Sequence, residues 1–367
     1  MNRTRQLSAL GQSLWLDNIS RALLDDGTLA RYIAERSITG LTSNPTIFDK
    51  AIGQTSAYDR GIRDKTRAGH SGEALFIELA LEDLRRAADL FRPVFDATGG
   101  VDGWVSMEIS PFLADDTAGS IAAAAKIHAQ ADRPNLFVKI PGTAAGVPAI
   151  EESIFADVPI NVTLLFSAAQ YVAAAEAYLR GIERRLAAGL DPQVASVASL
   201  FVSRWDTAVK DKAGPRVGPE LRNRLGIAIA GQTYRAYREL LASPRWRALL
   251  AAGARPQRLL WASTGTKDPA APDTLYVEAL AAPDTIDTMP DKTLEAFADH
   301  GELRGSMAID GGDADAVVGR FAAAGIRVDA LAAKLQRDGA RAFVESWQEL
   351  LGRIADKAIA LADSGAP

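Results

Sequence analysis

The sequence predicts an α/β protein, a (β/α)8 TIM-type barrel with additional C-terminal helices. Eight short apolar runs alternate with helical stretches along the 367 residues, and this alternation is typical of such a barrel. Polar side chains stand at the C-terminal ends of nearly every predicted strand, and those ends form the functional face of a parallel barrel. A doubly wound open sheet shows a similar alternation but gathers its polar residues at one crevice, so the barrel is the favoured fold.

The predicted strands are short runs rich in apolar residues. In chain order they are Ser13–Asp17, Ile38–Asn44, Trp104–Ile109, Leu136–Pro141, Ile160–Phe166, Ala195–Phe201, Arg258–Ser263 and Thr285–Met289. Helical periodicity between the strands predicts the helices Glu73–Phe91, Ala118–Gln130, Ala168–Ala188 and Glu220–Leu241.

Two further helices are expected after the eighth strand, at Asp313–Ala324 and Val328–Ala362. The second helix is long and amphipathic, and we expect it to cover the barrel or to form a subunit contact. Because the chain shows no internal repeat and no low-complexity linker, residues 1–367 are predicted to form a single domain. The sequence leaves a monomer and a homodimer open as the assembly.

The composition excludes several kinds of partner and chemistry. A net charge of −5 without a long basic block argues against nucleic acid as a partner. The absence of cysteine excludes disulfides and thiolate chemistry, and the three scattered histidines, His70, His128 and His300, argue against a zinc or iron site. No cofactor or metal is therefore expected. No apolar leader or membrane-spanning run is visible, so we expect a cytoplasmic protein without a membrane partner.

Lys139 interrupts the apolar run Leu136–Pro141 near its C-terminal end. Burying an ammonium group is unfavourable, and a lysine at a strand end can instead extend to solvent. A desolvated lysine, however, loses its proton easily and then acts as an amine nucleophile towards a carbonyl carbon. The Pro-Gly turn that follows the strand is expected to fix this lysine at the barrel mouth.

Four other side chains at strand ends have both a structural and a functional interpretation. Asp17 could cap the next helix or act as an acid–base, and Glu108 is a carboxylate within a strand, which capping does not explain. Asn44 precedes a proline and could simply form a turn, whereas Arg204 could form a surface ion pair or bind an oxyanion. Together with Lys139, these groups fit Schiff-base chemistry on a phosphorylated sugar, with a carboxylate moving the proton and an arginine holding the phosphate.

Several segments of the chain resemble signatures of the transaldolase family. Gly40–Phe48, with the sequence GLTSNPTIF, matches the signature around the second strand of that family, and Leu136–Glu151 matches the signature around its Schiff-base lysine. Asn161–Phe166 and Ser199–Arg204 resemble the two strands that follow. The resemblance extends from about Leu14 to the eighth strand, and therefore covers most of the chain.

The resemblance implies a set of catalytic roles. Lys139 forms the Schiff base, and Asp17 is the acid–base at the first strand. Glu108 and Thr163 hold the water that relays protons. The implied reaction moves a dihydroxyacetone unit from a ketose phosphate to an aldose phosphate, as in the non-oxidative pentose phosphate pathway.

The resemblance also implies substrate-binding residues. Asn44 and Asn161 hydrogen-bond the sugar hydroxyls and the dihydroxyacetone intermediate, and Ser199 contacts the sugar. Arg204 and Ser263 bind the terminal phosphate.

One departure from the family concerns the second cation of the phosphate site. Many members carry an arginine two residues after the serine of the seventh strand, but here Ser263 is followed by Thr264–Lys267. Lys267 could replace that arginine as a point charge, without its bidentate geometry.

Two other activities stay open besides the transferase. An aldolase would release free dihydroxyacetone, but related aldolases tend to carry Gln at the position of Glu108 and Tyr at the position of Phe201, so both residues favour a transferase. The other alternative is an inactive barrel that serves as a binding protein. The presence of Lys139 together with Asp17 and Glu108 argues against it.

Overall fold

The computed structural model describes residues 2–213 and 218–363. The rest of the single domain predicted for residues 1–367 lies outside the described residues. Within these residues, eight parallel strands form one sheet with the order β2-β1-β8-β7-β6-β5-β4-β3. The strands are β1 (Ser13–Asp17), β2 (Ile38–Thr42), β3 (Val105–Glu108), β4 (Leu136–Pro141), β5 (Ile160–Leu165), β6 (Ser196–Phe201), β7 (Gln257–Ala262) and β8 (Thr285–Met289). The predicted (β/α)8 barrel is confirmed.

Two backbone hydrogen bonds join the sheet edges β2 and β3 and so nearly close the barrel. The amide of Gly103 donates to the carbonyl of Thr39 at 2.8 Å, and the amide of Leu41 donates to the carbonyl of Trp104 at 2.9 Å. Because the two terminal strands of the sheet, β2 and β3, are joined in this way, few of their backbone groups are left unpaired and both strands can be buried.

Apart from α1, which precedes β1, the helices follow the strands along the chain, and most of them surround the sheet. They are α1 (Arg3–Ala9), α2 (Arg21–Asp25), α3 (Thr28–Arg36), α4 (Pro45–Gln54), α5 (Asp59–Arg67), α6 (Gly72–Ala97), α7 (Thr117–Ala131), α8 (Gly146–Phe155), α9 (Ala168–Ala187), α10 (Ser203–Ala213), α11 (Leu225–Ala242), α12 (Pro244–Ala251), α13 (Leu275–Ala279), α14 (Asp291–His300), α15 (Ala314–Ala323) and α16 (Val328–Asp363). The two helices predicted after the last strand are α15 and α16. No helix in the described part of the chain combines the length and the apolar character that crossing a membrane requires.

Large apolar side chains fill the lower part of the barrel and leave its upper part for polar groups. The ring of Phe137 on β4 stacks on Trp104 at 4.0 Å between centroids and lies 6.2 Å from Trp15 on β1. Gly40 on β2 makes room for this packing, since a Cβ atom at that position would approach the Trp15 ring to 2.6 Å. Side chains alternate in direction along a strand, so the residue two positions after Phe137, Lys139, faces the same interior one layer higher.

Some predicted boundaries were wrong. The helix predicted from Glu220 begins only at Leu225, because Asn223 adopts a left-handed backbone with φ of 57° and interrupts the turn before it. The strand predicted to reach Asn44 ends at Thr42, because the Asn44 side chain caps α4 and Pro45 occupies the first helical turn.

The helix α16 crosses the C-terminal mouth of the barrel. Gln336 near its start donates to the backbone carbonyls of Gly142 and Leu164, which lie at the ends of β4 and β5. Further along, the indole of Trp347 packs edge-on against Phe76 at 4.9 Å between ring centroids. Of the two roles predicted for this helix, covering the barrel is the one that the fold shows.

Candidate active site

Three polar side chains lie next to one another on adjacent strands at the upper layer of the barrel. In the strand register, Glu108 on β3 pairs with Lys139 on β4, and Lys139 pairs with Asn161 on β5. Thr163 follows Asn161 by two residues and therefore faces the same side one step nearer the mouth. Polar residues at matching positions of neighbouring strands create this row.

Lys139 is buried, with only 5% of its surface exposed, and its ammonium group does not reach solvent as a strand-end lysine could. Its Nζ donates to the carbonyl oxygen of Ser43 at 2.9 Å and lies 3.5 Å from Oε2 of Glu108. The donation fixes the Nζ atom at the end of β2, and the nearby carboxylate offsets part of the desolvation of a positive charge.

Glu108 and Thr163 each present a buried oxygen that has no hydrogen-bond partner among the described residues, although Glu108 Oε2 is ion-paired with Lys139. Burial raises the pKa of Glu108, and the nearby Lys139 opposes that rise. In the described residues, neither Glu108 Oε2 nor Thr163 Oγ1 makes a hydrogen bond. Buried polar atoms nearly always make a hydrogen bond. Two such oxygens without one, next to a nucleophile, are therefore well placed to bind an ordered water or a substrate oxygen.

Asp17 lies half-buried at the end of β1, opposite Thr42 in the register with β2. The hydroxyl of Thr42 donates to Asp17 Oδ1 at 2.7 Å, and the hydroxyl of Thr288 on β8 lies 2.7 Å from that of Thr42. Burial raises the pKa of Asp17, while the Thr42 hydrogen bond and Lys139 lower it. The helix after β1 is capped by Ser20, so capping does not explain the carboxylate.

The predicted amide and hydroxyl ligands form a hydrogen-bonded group behind the nucleophile. Asn161 is fully buried, accepts from Ser199 Oγ at 2.7 Å and donates to Ser106 Oγ at 3.2 Å. Asn44 accepts from the amide of Ile47 at 3.1 Å as the cap of α4. This bond uses only the Asn44 oxygen, so its amide nitrogen is left to donate towards the cavity.

Arg204 lies in the first turn of α10, directly after β6, and Ser263 and Lys267 lie on the loop after β7. Arg204 forms no hydrogen bond or ion pair with any residue that the structure describes, and its guanidinium lies 5.0 Å from the centre of the Phe201 ring. Ser263 has a left-handed backbone with φ of 58°, and its hydroxyl lies 2.9 Å from that of Ser203. Lys267 is exposed. The surface ion pair considered for Arg204 is therefore not seen in the described part of the chain.

These groups border a cavity of about 120 Å3 at the C-terminal ends of the strands. Its walls include nine of the eleven predicted site residues: Asp17, Asn44, Lys139, Thr163, Ser199, Phe201, Arg204, Ser263 and Lys267. Glu108 and Asn161 lie directly behind this wall. Glu108 contacts the lining residue Lys139, and Asn161 accepts a hydrogen bond from the lining residue Ser199.

A larger cavity of about 440 Å3 lies at the opposite end of the barrel, and the charged side chains Arg258 and Asp102 in its lining are hydrogen-bonded to other protein groups. Arg258 donates to Ser13 Oγ at 2.6 Å and to the carbonyl of Thr285 at 3.0 Å, and Asp102 accepts from the Trp15 indole at 2.7 Å. Chemistry in such barrels is performed at the C-terminal face, so the smaller cavity is the candidate active site.

The family model for "Transaldolase/Fructose-6-phosphate aldolase" matches residues 14–354. The chain belongs to this family. It is 46% identical over 362 residues to a protein of Frankia alni named Transaldolase, with 97% of each chain covered. Proteins named Transaldolase from Acidothermus cellulolyticus and Thiobacillus denitrificans are 47% and 46% identical over 355 and 358 residues. The alignments cover 95% of both chains in the first case, and 96% of this chain and 100% of the relative in the second.

These relatives support transaldolase function, and the prediction of a transaldolase-type enzyme is confirmed. The candidate active-site cavity also contains residues that the sequence did not predict. Thr42 and Thr288 look like ordinary strand residues, and Phe343 looks like one apolar position of an amphipathic helix. Only Thr42 had a signal, because it lies within the matched segment Gly40–Phe48.

Proposed function

We propose that this enzyme transfers a dihydroxyacetone unit through a Schiff base on Lys139. The donor is a ketose phosphate, sedoheptulose 7-phosphate or fructose 6-phosphate, and the acceptor is an aldose phosphate, glyceraldehyde 3-phosphate or erythrose 4-phosphate. These reactions belong to the non-oxidative pentose phosphate pathway. The observation that carries the proposal is the buried Lys139 amine at the cavity wall, 3.5 Å from the Glu108 carboxylate.

The first half of the reaction is cleavage of the donor. The neutral Lys139 amine attacks the ketone carbon, and loss of water leaves an iminium ion. Asp17 then accepts the proton of the C4 hydroxyl, the bond between C3 and C4 breaks, and its electron pair moves into the iminium to give an enamine. The shortened aldose phosphate leaves. Addition of the enamine to an acceptor aldehyde reverses these steps and hydrolysis frees Lys139.

The buried oxygens of Glu108 and Thr163 that lack a hydrogen-bond partner among the described residues support a water-mediated proton path. A water held between them could deliver a proton to the leaving hydroxide of the carbinolamine and later attack the iminium carbon. The raised pKa of Glu108 suits this task, since a carboxyl group transfers protons best when its pKa approaches the working pH.

Substrate recognition in this proposal divides between hydroxyls and phosphate. Asn44, Asn161 and Ser199 hydrogen-bond the sugar hydroxyls, while Arg204 holds two phosphate oxygens with its paired donors. Ser263 adds a hydroxyl, and the exposed Lys267 supplies a second positive charge. We also predict that the protein is a single domain, that it is located in the cytoplasm, and that it is a monomer or a homodimer.

Reductive trapping tests the nucleophile. Borohydride added in the presence of fructose 6-phosphate should label Lys139 irreversibly, and peptide mass analysis should place the added mass on the peptide that contains it. Lys139→Ala should lose both labelling and transfer while keeping the fold by circular dichroism. Lys126→Ala, which removes an exposed lysine of α7, is the matched control and should retain both. Labelling at another lysine, or near-normal turnover of Lys139→Ala, would show that the mechanism is wrong.

A second assay separates transfer from simple aldol cleavage. Fructose 6-phosphate is supplied with and without erythrose 4-phosphate, and free dihydroxyacetone and sedoheptulose 7-phosphate are both measured. A transferase forms the seven-carbon product and releases little dihydroxyacetone without the acceptor. Rapid release of dihydroxyacetone in both cases would identify an aldolase instead.

A further inference from the structure

The guanidinium of Arg204 is surrounded by aromatic rings and not by hydrogen-bonding partners. Its Cζ atom lies 5.0 Å from the centroid of Phe201 and 5.8 Å from the centroid of Phe343. Neither carboxylates nor carbonyls of the described residues accept from it. All its N–H donors are therefore free for an anion, and both rings lie within cation–π distance of the guanidinium.

The second ring comes from a distant part of the chain. Phe343 is on α16, is only 6% exposed and lines the cavity together with Lys139. Gln336, Gly339 and Phe343 are separated by three and four residues, so they share one face of the helix, and that face is turned towards the barrel mouth.

This face of α16 is fixed to the strand ends. Gln336 Nε2 donates to the carbonyl of Gly142 at 2.9 Å and to the carbonyl of Leu164 at 3.0 Å. The backbone of Leu164 is left-handed, with φ of 59°, so its carbonyl points where a regular strand would not place it. One helical turn later, Gly339 allows close approach: a Cβ atom there would lie 2.9 Å from Leu164 Cδ2 and 3.1 Å from Arg204 Nη1.

We propose that Phe343 is a positioning residue for phosphate recognition, and that α16 holds its ring against the guanidinium of Arg204. The inference rests on the proposed function, because it assigns Arg204 to the sugar phosphate. A cation in contact with two ring faces loses fewer orientations when it binds, so its planar fork is prepared for two phosphate oxygens. Burial lowers the pKa of Arg204, and the ring faces partly compensate the lost solvation of its charge.

The test compares a phosphorylated and an unphosphorylated ketone in the same chemical step. Borohydride trapping is measured without acceptor, and the concentration that gives half-maximal labelling is determined for fructose 6-phosphate and for dihydroxyacetone. Phe343→Leu keeps an apolar side chain but removes the ring. We expect it to raise the half-saturating concentration of fructose 6-phosphate roughly 3- to 20-fold, the range of a cation–π contact, and to leave that of dihydroxyacetone within about twofold.

Two variants test whether the ring itself is responsible. Phe343→Tyr retains the aromatic face and should restore most of the affinity for fructose 6-phosphate. Gly339→Ala leaves Phe343 in place but adds a methyl group against Arg204 and Leu164, and should reproduce the selective loss.

Trp347→Leu is the control for general loosening of the helix. Trp347 lies on α16 one turn beyond Phe343, but its ring packs on Phe76. We expect this variant to lower the melting temperature without changing the ratio of the two half-saturating concentrations. A merely structural role of Phe343 would give the same result for Phe343→Leu, and would overturn the inference.

Arg204→Ala separates failure of the inference from failure of the proposed function. If Arg204→Ala selectively weakens fructose 6-phosphate and Phe343→Leu does not, the phosphate assignment stands and the positioning role is wrong. If Arg204→Ala affects both ketones equally, phosphate recognition by Arg204 is wrong, and the inference fails with it. If wild-type labelling is not on Lys139, the proposed function itself is wrong.

Discussion

At Asp17, two opposing effects act on the same carboxyl group. Burial raises its pKa, whereas the hydroxyl of Thr42 donates to the charged form and lowers it. Because the Thr42 proton points to Asp17, the hydroxyl of Thr288, 2.7 Å away, must donate to Thr42. The carboxylate therefore stands at the end of a directed chain of two hydroxyls, which polarise one another.

Replacing Thr42 should shift the pH dependence of the reaction. Thr42→Val keeps the shape but removes the donor, so the pKa of Asp17 should rise and the acidic limb of the profile of kcat/KM should move up by roughly one pH unit. Thr42→Ser retains the hydroxyl and should keep the wild-type limb. An unchanged limb in Thr42→Val would show that Asp17 does not control it.

The role of Asp17 itself is tested by Asp17→Asn. The amide preserves the size of the side chain but cannot accept the hydroxyl proton, so kcat should fall on the order of 10²- to 10⁴-fold while KM changes little. Single-turnover release of the aldose, measured after rapid mixing with fructose 6-phosphate, isolates the cleavage step. A raised KM at unchanged kcat would instead make Asp17 a binding residue.

Individual residues were predictable from sequence where they violate the surrounding pattern. Lys139 and Glu108 stand out because burying a charge inside an apolar strand is unfavourable, and a purely structural role does not readily explain it. Thr288 and Phe343 obey the local pattern of a strand and of an amphipathic helix, so nothing in the sequence marks them. Their placement depends on tertiary contacts between elements that are far apart along the chain.

Among the elements, α16 combines an anchoring half with a half that lines the active site. Its C-terminal part is held on the helices after β2: Arg353 pairs with Asp49 at 2.7 Å, and Lys357 pairs with Asp59 at 2.8 Å. Solvent-accessible pairs of this kind contribute little free energy even when they are partly buried, so the buried indole of Trp347 is expected to provide most of the attachment.

Removing that indole should destabilise the protein without abolishing the chemistry. Trp347 is 1% exposed, and Trp347→Ala should lower the free energy of unfolding by about 3–5 kcal/mol, the usual cost of an aromatic cavity. Urea unfolding followed by circular dichroism measures this change, with Trp347→Phe as the variant expected to lose less. A loss below about 1 kcal/mol would mean that other contacts hold the helix.

The order of the strands and helices was predicted better than the residues at which they begin and end. All eight strands overlap their predicted ranges, because apolar runs buried between a barrel interior and a helical layer leave a continuous signal. The start of α11 was misplaced, since the helical pattern of Glu220–Leu241 hides the left-handed turn at Asn223. Such a turn is decided by packing, and asparagine alone does not predict it.

At the scale of the whole molecule, two buried carboxyl groups outside the active site shape the response to pH. Asp206 accepts from the amide of Leu225 and from the hydroxyl of Tyr276, and burial raises its pKa to about 6. Asp287 is fully buried on β8, accepts from the Thr264 hydroxyl at 2.8 Å, and has its pKa raised to about 7 by burial. Its second oxygen, Oδ2, has no hydrogen-bond partner among the described residues.

The sign of the Asp287 effect follows from proton linkage. Its pKa in the folded protein is about 7, whereas the ordinary value is 3.8, so between these values the folded state holds more protons than the unfolded chain. Stability therefore falls as the pH rises from about 4 to about 7, because the carboxyl is already charged in the unfolded chain and folding has to take up a proton. Each unit of difference corresponds to about 1.4 kcal/mol, which sets the full effect on the order of 4 kcal/mol.

Asp287→Asn should remove this dependence, because the amide cannot charge. Unfolding free energies of the variant and of the wild type are measured in urea at several pH values between 4.5 and 7.5, and their difference is plotted. Contributions of other groups, such as the ion-paired Asp268 with its pKa lowered to about 2, cancel in that difference. We expect the variant to gain on the wild type steadily up to pH 7 and then to level off. A difference that stays constant with pH would show that Asp287 titrates alike in the folded and the unfolded chain.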